Sequence, residues 1–142
     1  YLDIVPNLYV GTQYLKSFYG EKVIDFSKSK DNKYIDFKVN NDLEIFCIAP
    51  HQIDNVVSEI DFFHNAHSFV EMPKNIVSNY AKKVEAKMAK TNSAISMVSY
   101  DGFDLATTFD PEKLPTFFTK PAEEYSVPTL SPQRSNFHFV IQ

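Results

Sequence analysis

The chain has 142 residues, enough for one domain that buries a core without a disulfide or structural metal. Its 44% hydrophobic and 23% charged residues mark it as globular rather than disordered, and a net charge of −4 argues against nucleic acid as a partner. A single cysteine excludes an internal disulfide and favours an intracellular compartment. Three glycines argue against Gly-rich phosphate loops, and no apolar run reaches membrane length.

Residues 1–5 are too short to assign, Pro6-Asn7 is a break, and no signal-peptide pattern precedes them, although a start at Tyr1 is compatible with a removed or omitted leader. Leu8 to Tyr19 has helical spacing, with Leu8, Val10 or Gly11, Tyr14, Leu15 and Phe18 on one side and Gly20 as its stop. Aromatics at that spacing predict a core stripe, with Tyr9, Tyr14, Phe18 and Tyr19 lining a pocket as the functional alternative. Three strands are expected next, Lys22 to Ser27, Lys33 to Val39 and Leu43 to Ala49, forming a meander. In the second, Ile35, Phe37 and Val39 alternate with Tyr34, Asp36 and Lys38, and Asn40-Asn41-Asp42 supplies turn chemistry.

Pro50 then opens a second expected helix, His51 to His67, with Ile53, Val56, Val57, Ile60, Phe63 and His64 on one stripe. A third begins at Pro73, with Ile76, Val77, Tyr80, Ala81, Val84 and Met88 on its apolar face, Lys82, Lys83, Lys87 and Lys90 near its C-terminal end, and Thr91-Asn92 as its stop. Ala94 to Tyr100, Asp101-Gly102 and Phe103 to Phe109 read as strand, tight turn and strand. Beyond Asp110, Pro111, Pro115, Pro121, Pro128 and Pro132 punctuate a segment without periodicity, read as an extended arm, and Asn136 to Ile141 alternates as a terminal strand in need of an edge.

The expected fold is therefore α+β. A mainly antiparallel sheet of about five to seven strands packs against two to three helices over residues 1–110, and the arm at 111–142 docks on the domain or a neighbouring chain. The leading function is a non-enzymatic protein-interaction or assembly subunit, soluble and oligomeric, that binds a protein partner or itself. Its contacts would be Phe117, Phe118, Tyr125, Leu130, Phe137 and Phe139, because the arm carries more apolar surface than a solvated linker tolerates. The alternative is a small-molecule-binding domain with an aromatic-lined pocket.

A third reading is a metal-dependent enzyme using His51, His64 and His67, with Asp61 and Glu71 nearby. Helix-borne metal pairs favour i, i+4 spacing and these do not follow the HExxH pattern, so boundary histidines bonded to backbone are the stronger reading. Cys47, in an apolar run, reads as a buried structural thiol, and the lysines of the third helix as a solvated face. No cofactor or catalytic residue is assigned, and GxSxG, Walker A, Rossmann, CxxC and EF-hand patterns are all missing from the sequence.

Overall fold

A computed structural model describes residues 1–100, apart from Val39, Asn41 and His67, together with the strands at 123–125 and 135–141. The chain divides into two compact units, Tyr1–Ser58 and Glu59–Gln142.

The first unit opens with α1, Asn7–Tyr19, and stops at Gly20, whose φ of 53° suits a residue with no β-carbon. The Gly20 N–H bonds back to the Lys16 carbonyl, closing the last turn. Gly11, a poor helix former, has a different reason to be glycine: a β-carbon there would fall 2.5–2.6 Å from the Tyr1 ring. Next come β1, Val23–Ile24, and α2, a single turn over Phe26–Ser29, capped by Asp25 accepting from the Lys28 N–H. β2, Ile45–Phe46, runs parallel to β1 with Val23 opposite Ile45, and Pro50–Asn55 forms a 3-10 helix. The core is Leu8, Val23, Cys47 and Ala49, with Leu15, Phe26 and Ile45 packed against it. Gln52 is fully buried and ties this unit together: its Oε1 accepts from the Ala49 N–H at 3.0 Å and its Nε2 donates to the Ser29 carbonyl at 2.9 Å.

The second unit contains β3, Phe62–Ala66; α3, Lys74–Glu85; β4, Ala94–Tyr100; β5, Glu123–Tyr125; and β6, Ser135–Ile141. Its sheet order is β3-β4-β6-β5. β3 and β4 are parallel, which needs a crossover connection, and α3 lies in that connection. β6 pairs antiparallel with β4 along its whole length and with β5 at residues 137–139. On α3, Val77, Ala81 and Val84 are buried at i, i+4 and i+7, and burial of each valine contributes about 1.5–3 kcal/mol. Ile95 and Met97 are buried on β4. The rings of Phe63, Phe69 and Tyr80 form a chain with centroid separations of 6.1 and 6.2 Å, and burial pushes the Tyr80 phenol up.

The single mainly antiparallel sheet of five to seven strands is not what forms. Among the described residues there are two sheets, each containing a parallel pair, β1–β2 and β3–β4. The expected helix from His51 to His67 is replaced by the 3-10 helix and β3, because residues 62–66 serve as the parallel partner of β4. The expected meander shrinks as well. Lys22 to Ser27 yields two strand residues and then the α2 turn, Leu43 to Ala49 yields two, and Lys33 to Val39 yields one parallel bridge, Ile35 to Val56. Phe37 and Asp36 turn instead toward Ser58, whose Oγ accepts from the Phe37 N–H and donates to the Asp36 carboxylate. α3 ends at Glu85 rather than Thr91-Asn92, since Ile60 and the 87–89 segment exchange backbone hydrogen bonds. The Asp101-Gly102 turn, the strand from Phe103 to Phe109 and the arm at 111–122 and 126–134 lie outside the described residues.

Candidate functional site: an exposed aromatic face on α1

The 13 residues of α1 include one charge, Lys16. Leu8 and Thr12 are buried and Leu15 packs on the core cluster, so the 8/12/15 side faces inward. The Thr12 hydroxyl donates to the Leu8 carbonyl at 2.6 Å, which satisfies a polar group that would otherwise be costly to bury. Lys16 lies next to this side and donates to Asp25 Oδ2, fixing the roll of the helix from its charged residue. The rest of the helix surface carries no charge. On it Val10, Tyr14 and Phe18 recur at i, i+4 and i+8, exposed at 65%, 66% and 66%. The Tyr14 and Phe18 rings pack with centroids 4.9 Å apart, and Phe18 and Tyr19 with 6.5 Å. Ile4 and Val5, just before the helix, are also exposed.

Beside α1 lies a cleft of about 320 Å³, lined by Val5, Leu8, Tyr9, Thr12, Asp25 and Phe26 among others. Its carboxylate is already engaged. Asp25 Oδ2 accepts from Lys16, while Oδ1 accepts from the Ser27 hydroxyl and the Lys28 N–H. These bonds, Lys16 foremost and then Ser27, pull the Asp25 carboxyl down to about 2, and the same pair raises Lys16. A carboxylate so held is an anchor of the fold rather than a base. A second cleft of about 300 Å³ is lined by Glu21, Lys22, Lys38, Asp42 and Glu44. There Lys22 pairs with Asp42 at 3.8 Å and Lys38 with Glu44 at 3.1 Å, so four of its five charged side chains are in ion pairs.

No family model matches this chain, and neither a curated protein nor a solved structure is detectably similar to it.

The histidines do not share one helix. His51 is in the 3-10 helix, its ring edge-on to Phe26 at 6.2 Å; His64 is on β3, in the other unit; His67 lies outside the described residues. His64 stacks on Phe62 and shares a 3.1 Å hydrogen bond between its Nδ1 and Ser96 Oγ. That contact follows from register, since His64 and Ser96 are opposite each other on parallel strands. Among the described residues no group of three His, Cys, Asp or Glu side chains converges as a metal site would require. Cys47 is fully buried. No described helix is long and apolar enough to cross a membrane.

Of the six arm positions, Phe117, Phe118 and Leu130 lie outside the described residues. Tyr125 is opposite Phe137 in the β5–β6 pair, and Phe139 is opposite Glu123 on one side and Ser96 on the other. Val10, Tyr14 and Phe18 were expected in the core and lie outside it. A signal for that was present in the sequence. A helix with one charge has no solvated charged face, so one of its two apolar-lined sides has to face water or a partner.

Proposed function

We propose that this chain is a non-enzymatic protein-interaction subunit, with the uncharged face of α1 as a docking surface. The observation that carries the reading is the contiguous exposure of Val10, Tyr14 and Phe18 on a helix whose charged residue is already paired. Contiguous apolar surface of this kind marks interaction sites, whereas scattered exposed apolar residues do not, and aromatic anchors dominate the energetics of interfaces. The apolar C-terminal arm is proposed as a second contact, on the composition of Phe117, Phe118 and Leu130. Strand addition at β6 contributes less, because residues 137–139 are paired on both sides within the chain.

The test is a photo-reactive benzoylphenylalanine placed at position 14, with position 34 as control, since Tyr34 is also an exposed aromatic. In native cell extract the reading expects a discrete protein adduct at 14 and none at 34. Identical labelling at both positions, or none at 14, removes it.

A second reading, small-molecule binding, is favoured by the cleft beside α1, whose volume is at the lower end for ligand sites and whose walls include Tyr9 and Phe26. A thermal-shift screen of small aromatic compounds checks it. The reading expects a stabilising hit that is lost in Phe26→Ala and kept in Tyr14→Ser, and it fails if no compound stabilises the protein.

A further inference from the structure

We infer that the cleft beside α1 binds a small aromatic molecule that carries an N–H donor. The inference rests on the small-molecule reading above and names the ligand's chemistry.

Position supplies the first argument. β1 and β2 are parallel, and the Cys47 N–H points toward β1, to the Ile24 carbonyl. The next N–H, that of Ile48, points the other way, to the Tyr1 carbonyl, and the Asp3 N–H returns to the Ile48 carbonyl. Leu2 thereby forms a parallel bridge to Ile48, so three parallel segments lie side by side in the order 1–3, 45–48, 23–24. Their carboxyl ends lead into α1, the 3-10 helix and α2 respectively. The cleft lies at these ends, since Val5 follows the first segment and Asp25, Phe26 and Ser27 follow β1. Open α/β sheets place their ligands in this position, outside the carboxyl ends of parallel strands.

Hydrogen-bonding capacity supplies the second argument and selects the ligand. Leu8 and Thr12 are buried and form the floor, with Val5, Tyr9 and Phe26 as apolar walls. The Thr12 hydroxyl proton is used on the Leu8 carbonyl and that of Ser27 on Asp25 Oδ1, so both oxygens are left as acceptors. A carboxylate accepts about four hydrogen bonds, and Asp25 already takes three, from Lys16, Ser27 and the Lys28 N–H. The N–H groups of Leu8, Tyr9 and Val10 are bonded to the Ile4 and Pro6 carbonyls and are not available to an anion. Lys16, the one cation of α1, is committed to Asp25. Among the lining side chains the remaining donors belong to Tyr9 and Gln13, both exposed at the rim. The interior of the cleft therefore accepts hydrogen bonds without donating them, which suits an N–H group and rejects a carboxylate or phosphate.

A volume of about 320 Å³ is at the lower end for ligand sites, so the ligand is a single or fused pair of rings. Its Kd is accordingly modest, on the order of 0.1–1 mM.

The experiment titrates the ¹⁵N-labelled full chain with three probes: indole, which donates through its N–H; benzofuran, of the same shape with oxygen in place of that N–H; and benzoate, an anion. Indole should shift the amide signals of Val5, Thr12 and Ser27, benzofuran should bind roughly tenfold or more weakly, and benzoate should leave those signals unmoved. Thr12→Val, which removes an acceptor oxygen at nearly constant volume, should narrow the preference for indole over benzofuran, while Tyr14→Ser should leave it unchanged. If Thr12→Val fails to fold, the comparison of indole with benzofuran on the wild type decides alone. Equal affinity of indole and benzofuran at the cleft, or benzoate binding as tightly as indole, overturns the donor requirement and leaves the small-molecule reading standing. No shift at the cleft with any probe overturns the inference, and if no compound of the aromatic screen stabilises the protein either, the small-molecule reading falls with it.

Discussion

Leu8→Ala and Tyr14→Ser, two substitutions six residues apart on the same helix, should differ several-fold in their cost to stability. Leu8 is 2% exposed and belongs to the cluster with Val23, Cys47 and Ala49. Truncating a buried leucine costs about 2–5 kcal/mol, depending on how far the surroundings and solvent fill the space. Leu8 also lines the open cleft, which water can enter, so the lower part of that range applies, about 2–3 kcal/mol. Tyr14→Ser removes one exposed i, i+4 ring contact, worth about 0.2–0.5 kcal/mol, at nearly equal helix propensity. Cys47 offers a direct readout, being fully buried in the cluster that Leu8 completes and the only thiol in the chain. With labelling limited by opening of the unit, Leu8→Ala should accelerate reaction with an aromatic disulfide reagent roughly 30–150-fold, and Tyr14→Ser by no more than about threefold. Equal acceleration by the two would mean that Tyr14 is a core residue and that the orientation assigned to α1 is wrong.

Three further outcomes follow from the same unit. Gln52→Leu should lower thermal stability, since it leaves the buried Ala49 N–H without its partner, at about 1–3 kcal/mol, while the Ser29 carbonyl keeps the Asn32 N–H, and a variant with wild-type melting would show that the bridge is dispensable. Gly20→Ala should destabilise by about 1–3 kcal/mol in denaturant titration through backbone strain, because the added methyl meets nothing within 4 Å beyond its immediate chain neighbours, and an unchanged midpoint would contradict the positive φ. Asp25 has its folded pKa lowered from 3.8 to about 2, mainly by Lys16, so its stabilising contribution is fully present above pH 4 and is lost as pH falls through about 2. The Asp25→Asn variant should therefore be less stable at neutral pH and show a flatter stability profile between pH 4 and 2, and parallel profiles would contradict the pairing.

Elements with strong local signals were legible in the sequence. Gly20 marked the end of α1, the Val77/Ala81/Val84 spacing marked α3, and the run from Ala94 to Tyr100 marked β4. The failures share a physical cause, which is that tertiary partners decide between patterns the chain allows equally. Apolar residues from Ile53 to Phe63 satisfy a helical period, yet β4 recruits residues 62–66 as a strand, and nothing local encodes that pairing. The alternation of Ile35 and Phe37 suggests a strand, but only Ile35 finds a bridge partner. On α1 the expected apolar side combined Leu8 and Leu15, which face inward, with Val10, Tyr14 and Phe18, which are exposed. Thr12 and Lys16 decide otherwise, through a hydroxyl bonded back to the helix and an ion pair formed 9 residues along the chain. The second of these depends on where Asp25 comes to lie, which the α1 sequence cannot reveal.

The most direct probe of the α1 face is the ¹⁹F signal of 3-fluorotyrosine at position 14, compared in H₂O and D₂O. The account predicts the solvent-isotope shift of an accessible ring, since Tyr14 is two-thirds exposed. A resonance without that shift would show that the ring is packed within its own chain, and the docking face would not exist.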